Sequence, residues 1–147
     1  MVSKVECGSS FTLVLTTKGH LYAWGFGKSG SLGLGETSAT DYPKRIEKLL
    51  GGDEACNMKD ISCGSSHSLA IDEAGKMYSW GNGQGGRLGH GQEVGENEPR
   101  QILKLDGKTV KFIEAGDASS AAITHDLYVY MWGSGLNGRL GNGEDIN

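Results

Sequence analysis

Glycine-rich runs, a cysteine–histidine pair and a few basic residues are the parts of this chain whose types and spacing could do chemistry. Gly25-Phe26-Gly27-Lys28-Ser29-Gly30 fits the G-x-G-x-x-G pattern of a dinucleotide-binding turn, and it follows a predicted strand. Gly81-Asn82-Gly83-Gln84-Gly85-Gly86 and Gly133-Ser134-Gly135-Leu136-Asn137-Gly138 fit equally well. A nucleotide fold has one such turn, and it opens a helix whose N-terminus holds the phosphates. Here every run continues into Leu-Gly-x-Gly (32–35, 88–91 and 140–143), a composition hostile to a helix. Gly27-Lys28-Ser29 also resembles the end of a phosphate-binding loop, but Tyr22 stands where its opening glycine would be. Both nucleotide readings fail, and no cofactor is expected.

Cys63 and His67 make two ligands where a structural zinc site wants four, so no metal is expected either. Cys7 and Cys63 occupy equivalent places in a repeated pattern that has Ala115 in its third copy, which reads as small residues buried for packing. Cys56 lies in a join between copies. His67 belongs to the same pattern and reads as a structural histidine, not a base. No nucleophile–base set or paired carboxylates stand out, so no catalytic residue is assigned. Net charge is −4. That balance lacks the basic footprint of a nucleic-acid binder, and Lys44-Arg45, Lys104, Lys108 and Lys111 read as solvated surface. No apolar run nears the roughly 18 residues that span a bilayer, and the first residues carry no signal-peptide core, so the expected setting is intracellular, nuclear or cytoplasmic.

The elements that must position these residues come in copies. Trp24, Trp80 and Trp132 are separated by 56 and then 52 residues. In each copy an early glycine (Gly8, Gly64, Gly116) precedes the tryptophan by 16 residues, and a leucine (Leu32, Leu88, Leu140) follows it by 8. Fixed inner spacings with a variable join mean one unit copied three times. Most of the 25 glycines among 147 residues recur at equivalent places from copy to copy, which argues for tight turns and an all-β fold.

Each copy predicts a hairpin at 11–16 with 20–24, again at 67–72 with 76–80, and a third in altered form, where Asp126 is expected to take the left-handed turn position. A strand precedes each hairpin at 2–7, 58–63 and 110–115, and a fourth is expected just after Pro43 and Pro99, at 45–49 and 100–105. Four short antiparallel strands in 52 to 56 residues describe a β-propeller blade. The tryptophans are then wedges between neighbouring sheets, and the leucines plug the glycine loops into the core. A fixed frame with variable positions is how a scaffold displays side chains to a partner. The candidate partner-facing tips are Lys28, Gln84, Arg87, Leu136, Asn137 and Arg139.

Cys63-Gly64 with His67, Tyr78-Ser79-Trp80-Gly81, Gly86-Arg87-Leu88-Gly89-His90-Gly91 and Pro99 together resemble the repeat of the regulator of chromosome condensation family. The signature is Gly8, Trp24, Gly25, Leu32 and Gly33 in copy one, and Gly64, His67, Trp80, Gly81, Leu88 and Gly89 in copy two. In copy three it is Gly116, Trp132, Gly133, Leu140 and Gly141. Phe11 and Ser119 replace the histidine in copies one and three. The resemblance implies blades of a seven-bladed propeller: repeat one at 2–57, repeat two at 58–109 and an incomplete repeat three at 110–147. About 2.7 repeats cannot close a ring, so a piece of a larger protein is expected, or a chain that self-associates through open blade edges. The function implied is a protein–protein interaction module. The alternative is a piece of a guanine-nucleotide exchange factor for a Ran-type small GTPase, chromatin-associated in some members. The family's plant UV-B photoreceptor needs extra tryptophans that 9–12, 65–68 and 117–120 lack, which argues against light sensing.

Overall fold

Alternating apolar and polar residues, broken by glycine turns, give three antiparallel sheets in a computed structural model that describes residues 1–49 and 57–145. The first sheet has the order β1 (Val2–Cys7), β2 (Phe11–Thr16), β3 (Leu21–Gly25) and β4 (Thr40–Arg45). The second repeats it with β5 (Met58–Cys63), β6 (His67–Asp72), β7 (Met77–Gly81) and β8 (Glu96–Gln101). The third has β9 (Val110–Ala115), β10 (Ser119–Thr124) and β11 (Val129–Gly133). Among the described residues this copy has three strands where the first two have four, in keeping with the incomplete third repeat expected from the sequence. Hairpin register repeats as well, with Leu15 opposite Leu21, Ile71 opposite Met77 and Ile123 opposite Val129. Cys56 lies outside the described residues.

The strand period of two explains how the sheets stack. Along β6, Ala70 enters one apolar cluster with Leu13, Leu15, Ile61, Tyr78 and Trp80, while Leu69 and Ile71 enter another with Val110, Ile113 and Ala122. The middle sheet is therefore buried on both faces, and all six residues of β6 are buried. The first strands form the inner rim, where β5 touches both β1 and β9. Lys4 Nζ bridges this rim to Asp60 Oδ1 at 2.8 Å and donates to the Ile61 carbonyl at 2.7 Å. The Ala115 amide donates to Ser62 Oγ at 3.0 Å.

Three local expectations change. The fourth strands contain Pro43 and Pro99 and do not follow them. Both strands run along the outer edge of their sheets, with a bulge between Ala23 and Gly25 and between Ser79 and Gly81, where a missing N–H breaks no ladder. Cys7 is exposed and so is not the packing residue expected, while Cys63 is partly buried and packs against the first apolar cluster. In the third hairpin turn Leu127, not Asp126, takes the positive φ of 66°. Leu127 sits where Gly19 and Gly75 sit, and strand register dictates the backbone there whatever the residue. The left-handed conformation costs a β-carbon about 1–2 kcal/mol, so Leu127→Gly should stabilise the chain by about 1 kcal/mol in a denaturant melt. An unchanged midpoint would remove strain from that turn.

Candidate interaction surface

Each glycine loop begins where its third strand ends. The amides of Phe26, Asn82 and Ser134 donate to the carbonyls of Ser10, Ser66 and Ala118 at 2.8, 2.9 and 2.9 Å, which pins the loop to its own hairpin. Two stacked turns follow, through Gly30 to Gly27 and Gly33 to Gly30, and the same bonds recur in copies two and three. The path carries Leu32 and Leu88 into full burial between sheets, while Leu140 remains half-buried.

The loop then becomes a socket for the next sheet. The Ser31 carbonyl accepts from Trp80 Nε1 at 2.9 Å and from Ser68 Oγ at 3.0 Å. One copy on, the Arg87 carbonyl accepts from Trp132 Nε1 at 2.9 Å and from Ser120 Oγ at 2.8 Å. A β-carbon on Gly33 would lie 2.8 Å from Trp80 Nε1, and on Gly89 2.9 Å from Trp132 Nε1, so only glycine lets the indole approach. Trp24, which meets no such socket among the described residues, is half-buried. The hydroxyl partners were not singled out from sequence. Thr12, Ser68 and Ser120 recur at one position, and that recurrence was the available signal.

Ser120 Oγ gives its only proton to Arg87, so it accepts from His67 Nε2 at 2.9 Å, which places the histidine proton on Nε2. His67 is fully buried against Gly64, and burial with the nearby Arg87 guanidinium lowers its pKa from 6.5 to about 4. Burial raises the Cys63 thiol to about 12, far from a reactive thiolate. Among the described residues no group of three or more His, Cys, Asp or Glu could hold a metal ion. No described helix is long and apolar enough to cross a membrane.

Lys28, Gln84 and Leu136 occupy one position in the three loops, and all are exposed. Asn137 is exposed beside Leu136, in left-handed backbone with φ 59°, and its amide is held by Asp145 Oδ1. Arg87 does not belong with them. It is only 9% exposed, its Nε donates to the Gln84 carbonyl at 2.8 Å, and Nη1 reaches Ser66 Oγ at 3.2 Å and the Asp117 carbonyl at 3.4 Å. It fastens one loop to the next hairpin. Arg139 folds back in the same way, Nε to the Leu136 carbonyl at 2.7 Å, and is half-buried. The surface that varies is thus Lys28, Gln84, Leu136 and Asn137.

Gly83 at the loop base has an ordinary φ of −93°, open to any residue. Its need for glycine is space: a β-carbon would lie 2.0 Å from the Val94 carbonyl oxygen. Gly83→Ala should cost about 1–3 kcal/mol by crowding, while Gln84→Ala stays within about 0.5 kcal/mol. Equal thermal midpoints for the two variants would contradict this.

Residues 18–71 and 74–123 match the model of the regulator of chromosome condensation (RCC1) repeat, and residues 2–31 match a second model of that repeat. E3 ubiquitin-protein ligase HERC2 of Homo sapiens is 38% identical over 148 residues, covering 99% of this chain and 3% of that protein. The mitochondrial RCC1 domain-containing protein RUG3 of Arabidopsis thaliana is 38% identical over 140 residues, 95% of this chain and 31% of that protein. The chain thus spans less than a third of either relative. In fold it is similar to Prp20p of Saccharomyces cerevisiae, with a TM-score of 0.83 at 22% identity, covering 99% of this chain and 36% of that one. The two loop sockets, the buried tryptophan at one junction and the sheet order repeat the family unit, and this chain belongs to the regulator of chromosome condensation repeat family.

Proposed function

We propose that these blades are a non-enzymatic protein-interaction module whose partner, inside the cell, is met by the loop tips Lys28, Gln84, Leu136 and Asn137. The observation that carries this is the contrast within each loop. Its frame is fixed by repeated hydrogen bonds, while its outermost position changes from cation to amide to apolar side chain. Buried Leu32 and Leu88 make the frame rigid, so tips are presented with little ordering cost. Photo-crosslinkers placed at 28, 84 and 136 should give discrete protein adducts in a cell extract. Equal adducts from a crosslinker at Tyr42, on the outer edge, would sink the loop-tip assignment.

A second reading is exchange on a Ran-type GTPase. It is favoured by Prp20p, whose structure is described with its binding properties to Gsp1p and histones. Exchange would need only tighter binding of the nucleotide-free GTPase than of the loaded one. Faster release of a fluorescent GDP analogue from such a GTPase, lost on Gln84→Ala and Leu136→Ala, is its test. An unchanged release rate sets it aside for this chain.

A further inference from the structure

Two of the glycine loops are closed by an acid that the first loop lacks. In copy two the Gly85 amide, at the loop tip, donates to Glu93 Oε2 at 3.0 Å. In copy three the Asn137 amide donates to Asp145 Oδ1 in the same way. Tip and acid are eight residues apart both times, and the same register in copy one pairs Ser29 with Thr37. Thr37 is uncharged, and among the described residues the Ser29 amide has no acceptor.

Capped and uncapped loops differ in backbone. The capped tips wind into a short helical turn, Gln84–Gly86 and Leu136–Gly138, with Gly85 at φ 69° and Asn137 at φ 59°. Residues 28–30 form no such turn, and Ser29 is not left-handed. Copy one has no substitute cap either, since Phe26 stands where the Asn82 side chain accepts from the Gln84 amide at 2.9 Å. Thr37 is exposed within an exposed stretch at 35–39. Of the neighbouring hydroxyls, Ser38 falls one residue past the acid's register. Thr40 is buried, with its hydroxyl given to the Tyr42 carbonyl at 3.1 Å. Glu36, next to Thr37, meets Lys44 Nζ at 3.6 Å, and Lys28 adjoins Ser29, so a cation accompanies each end of the missing bond.

We propose that Thr37 is a phosphorylation site whose phosphate supplies the acceptor that Glu93 and Asp145 supply in the other copies, drawing Ser29 into the capped turn and re-aiming Lys28. The consequence for a partner rests on the loop-tip reading above; the modification and the turn do not. In the transfer, Thr37 Oγ1 attacks the terminal phosphorus of a nucleoside triphosphate held by a protein kinase. The new O–P bond replaces the one to the bridging oxygen, a nucleoside diphosphate leaves, and the hydroxyl proton passes to the kinase's base. The product carries a charge of roughly −1.5 to −2 at neutral pH and three acceptor oxygens. A charge-assisted bond is about twice as strong as a neutral one, which offsets the resistance of the Ser29 β-carbon to left-handed backbone.

The test uses the 147-residue chain with phosphothreonine incorporated at position 37, beside a Glu93→Thr variant. Hydrogen exchange of the Ser29 amide should slow about tenfold on phosphorylation, and that of Gly85 should quicken about tenfold in Glu93→Thr. The Ser29 amide resonance should also follow the second ionisation of the phosphate near pH ~6. A Ser29 amide indifferent to the phosphate overturns the proposal. In a second arm the unmodified chain is incubated with cell extract and ATP, and the phosphate is mapped by mass spectrometry. It should lie on Thr37 and vanish in Thr37→Ala. Phosphate on Ser38 alone, or none on the chain, overturns the proposal as well. Crosslinks from 28, 84 and 136 read the partner and not the phosphate, so failure in either arm leaves the loop-tip reading standing.

Discussion

Trp80→Ala should destabilise the chain by about 3–5 kcal/mol, the largest loss expected from a single side chain. Trp80 is wholly buried in the cluster between the first two sheets, and its Nε1 donates to the Ser31 carbonyl. Alanine there opens a cavity that β2, β5 and the Leu32 plug cannot collapse into, because each is fixed by its own bonds. Trp80→Phe separates the two contributions. It keeps most of the wedge, and Ser31 retains Ser68 Oγ, so the loss should fall to about 1 kcal/mol beyond the volume change. Trp24→Ala, at a half-buried site, should cost less than half as much as Trp80→Ala. Urea midpoints for the three variants decide the matter, and a Trp80→Ala chain that melts like the parent would defeat the wedge.

Acid should unfold the chain through His67. Its pKa is lowered by burial and by Arg87 from 6.5 to about 4, so the folded state holds the neutral ring while the unfolded state takes a proton. Between those values the unfolded state binds more protons, and stability rises with pH. The contribution is fully present above about 6.5 and is lost as pH falls to about 4, roughly 3 kcal/mol in all. His67→Phe tests this with a residue the chain already uses, since Phe11 fills the same position in the first copy against Gly8. The variant should lose most of the slope of stability against pH across that window. A slope equal to the parent's would assign the acid sensitivity elsewhere.

The parts that were legible in the sequence are those where local propensity and burial agree. Five strands, β1, β2, β5, β6 and β9, fall at the expected residues because Val, Ile, Leu and Phe alternate there and glycine or serine turns bound them. β4 and β8 were displaced because Thr-Asp-Tyr-Pro-Lys-Arg and Glu-Asn-Glu-Pro-Arg-Gln look like loops. Their edge position and exposure let tertiary pairing override composition. Arg87 looked like a tip because a lone arginine in a glycine run usually points to solvent. What folds it down is the Gln84 carbonyl three residues earlier, the same bond that Arg139 makes to Leu136, with Ser66 and the Asp117 carbonyl of the next copy closing over it. Leu127 reverses the usual inference, with register imposing a conformation that its side chain resists.

The sockets run in one direction along the chain. Ser31 precedes Trp80 and Ser68, and Arg87 precedes Trp132 and Ser120, so the acceptor is always the earlier residue. During synthesis from the N-terminus, each new hairpin leaves the ribosome to find its docking carbonyl already made. A blade need not wait for later sequence before it seats. The apolar face left uncovered meanwhile is the one that the next copy packs against.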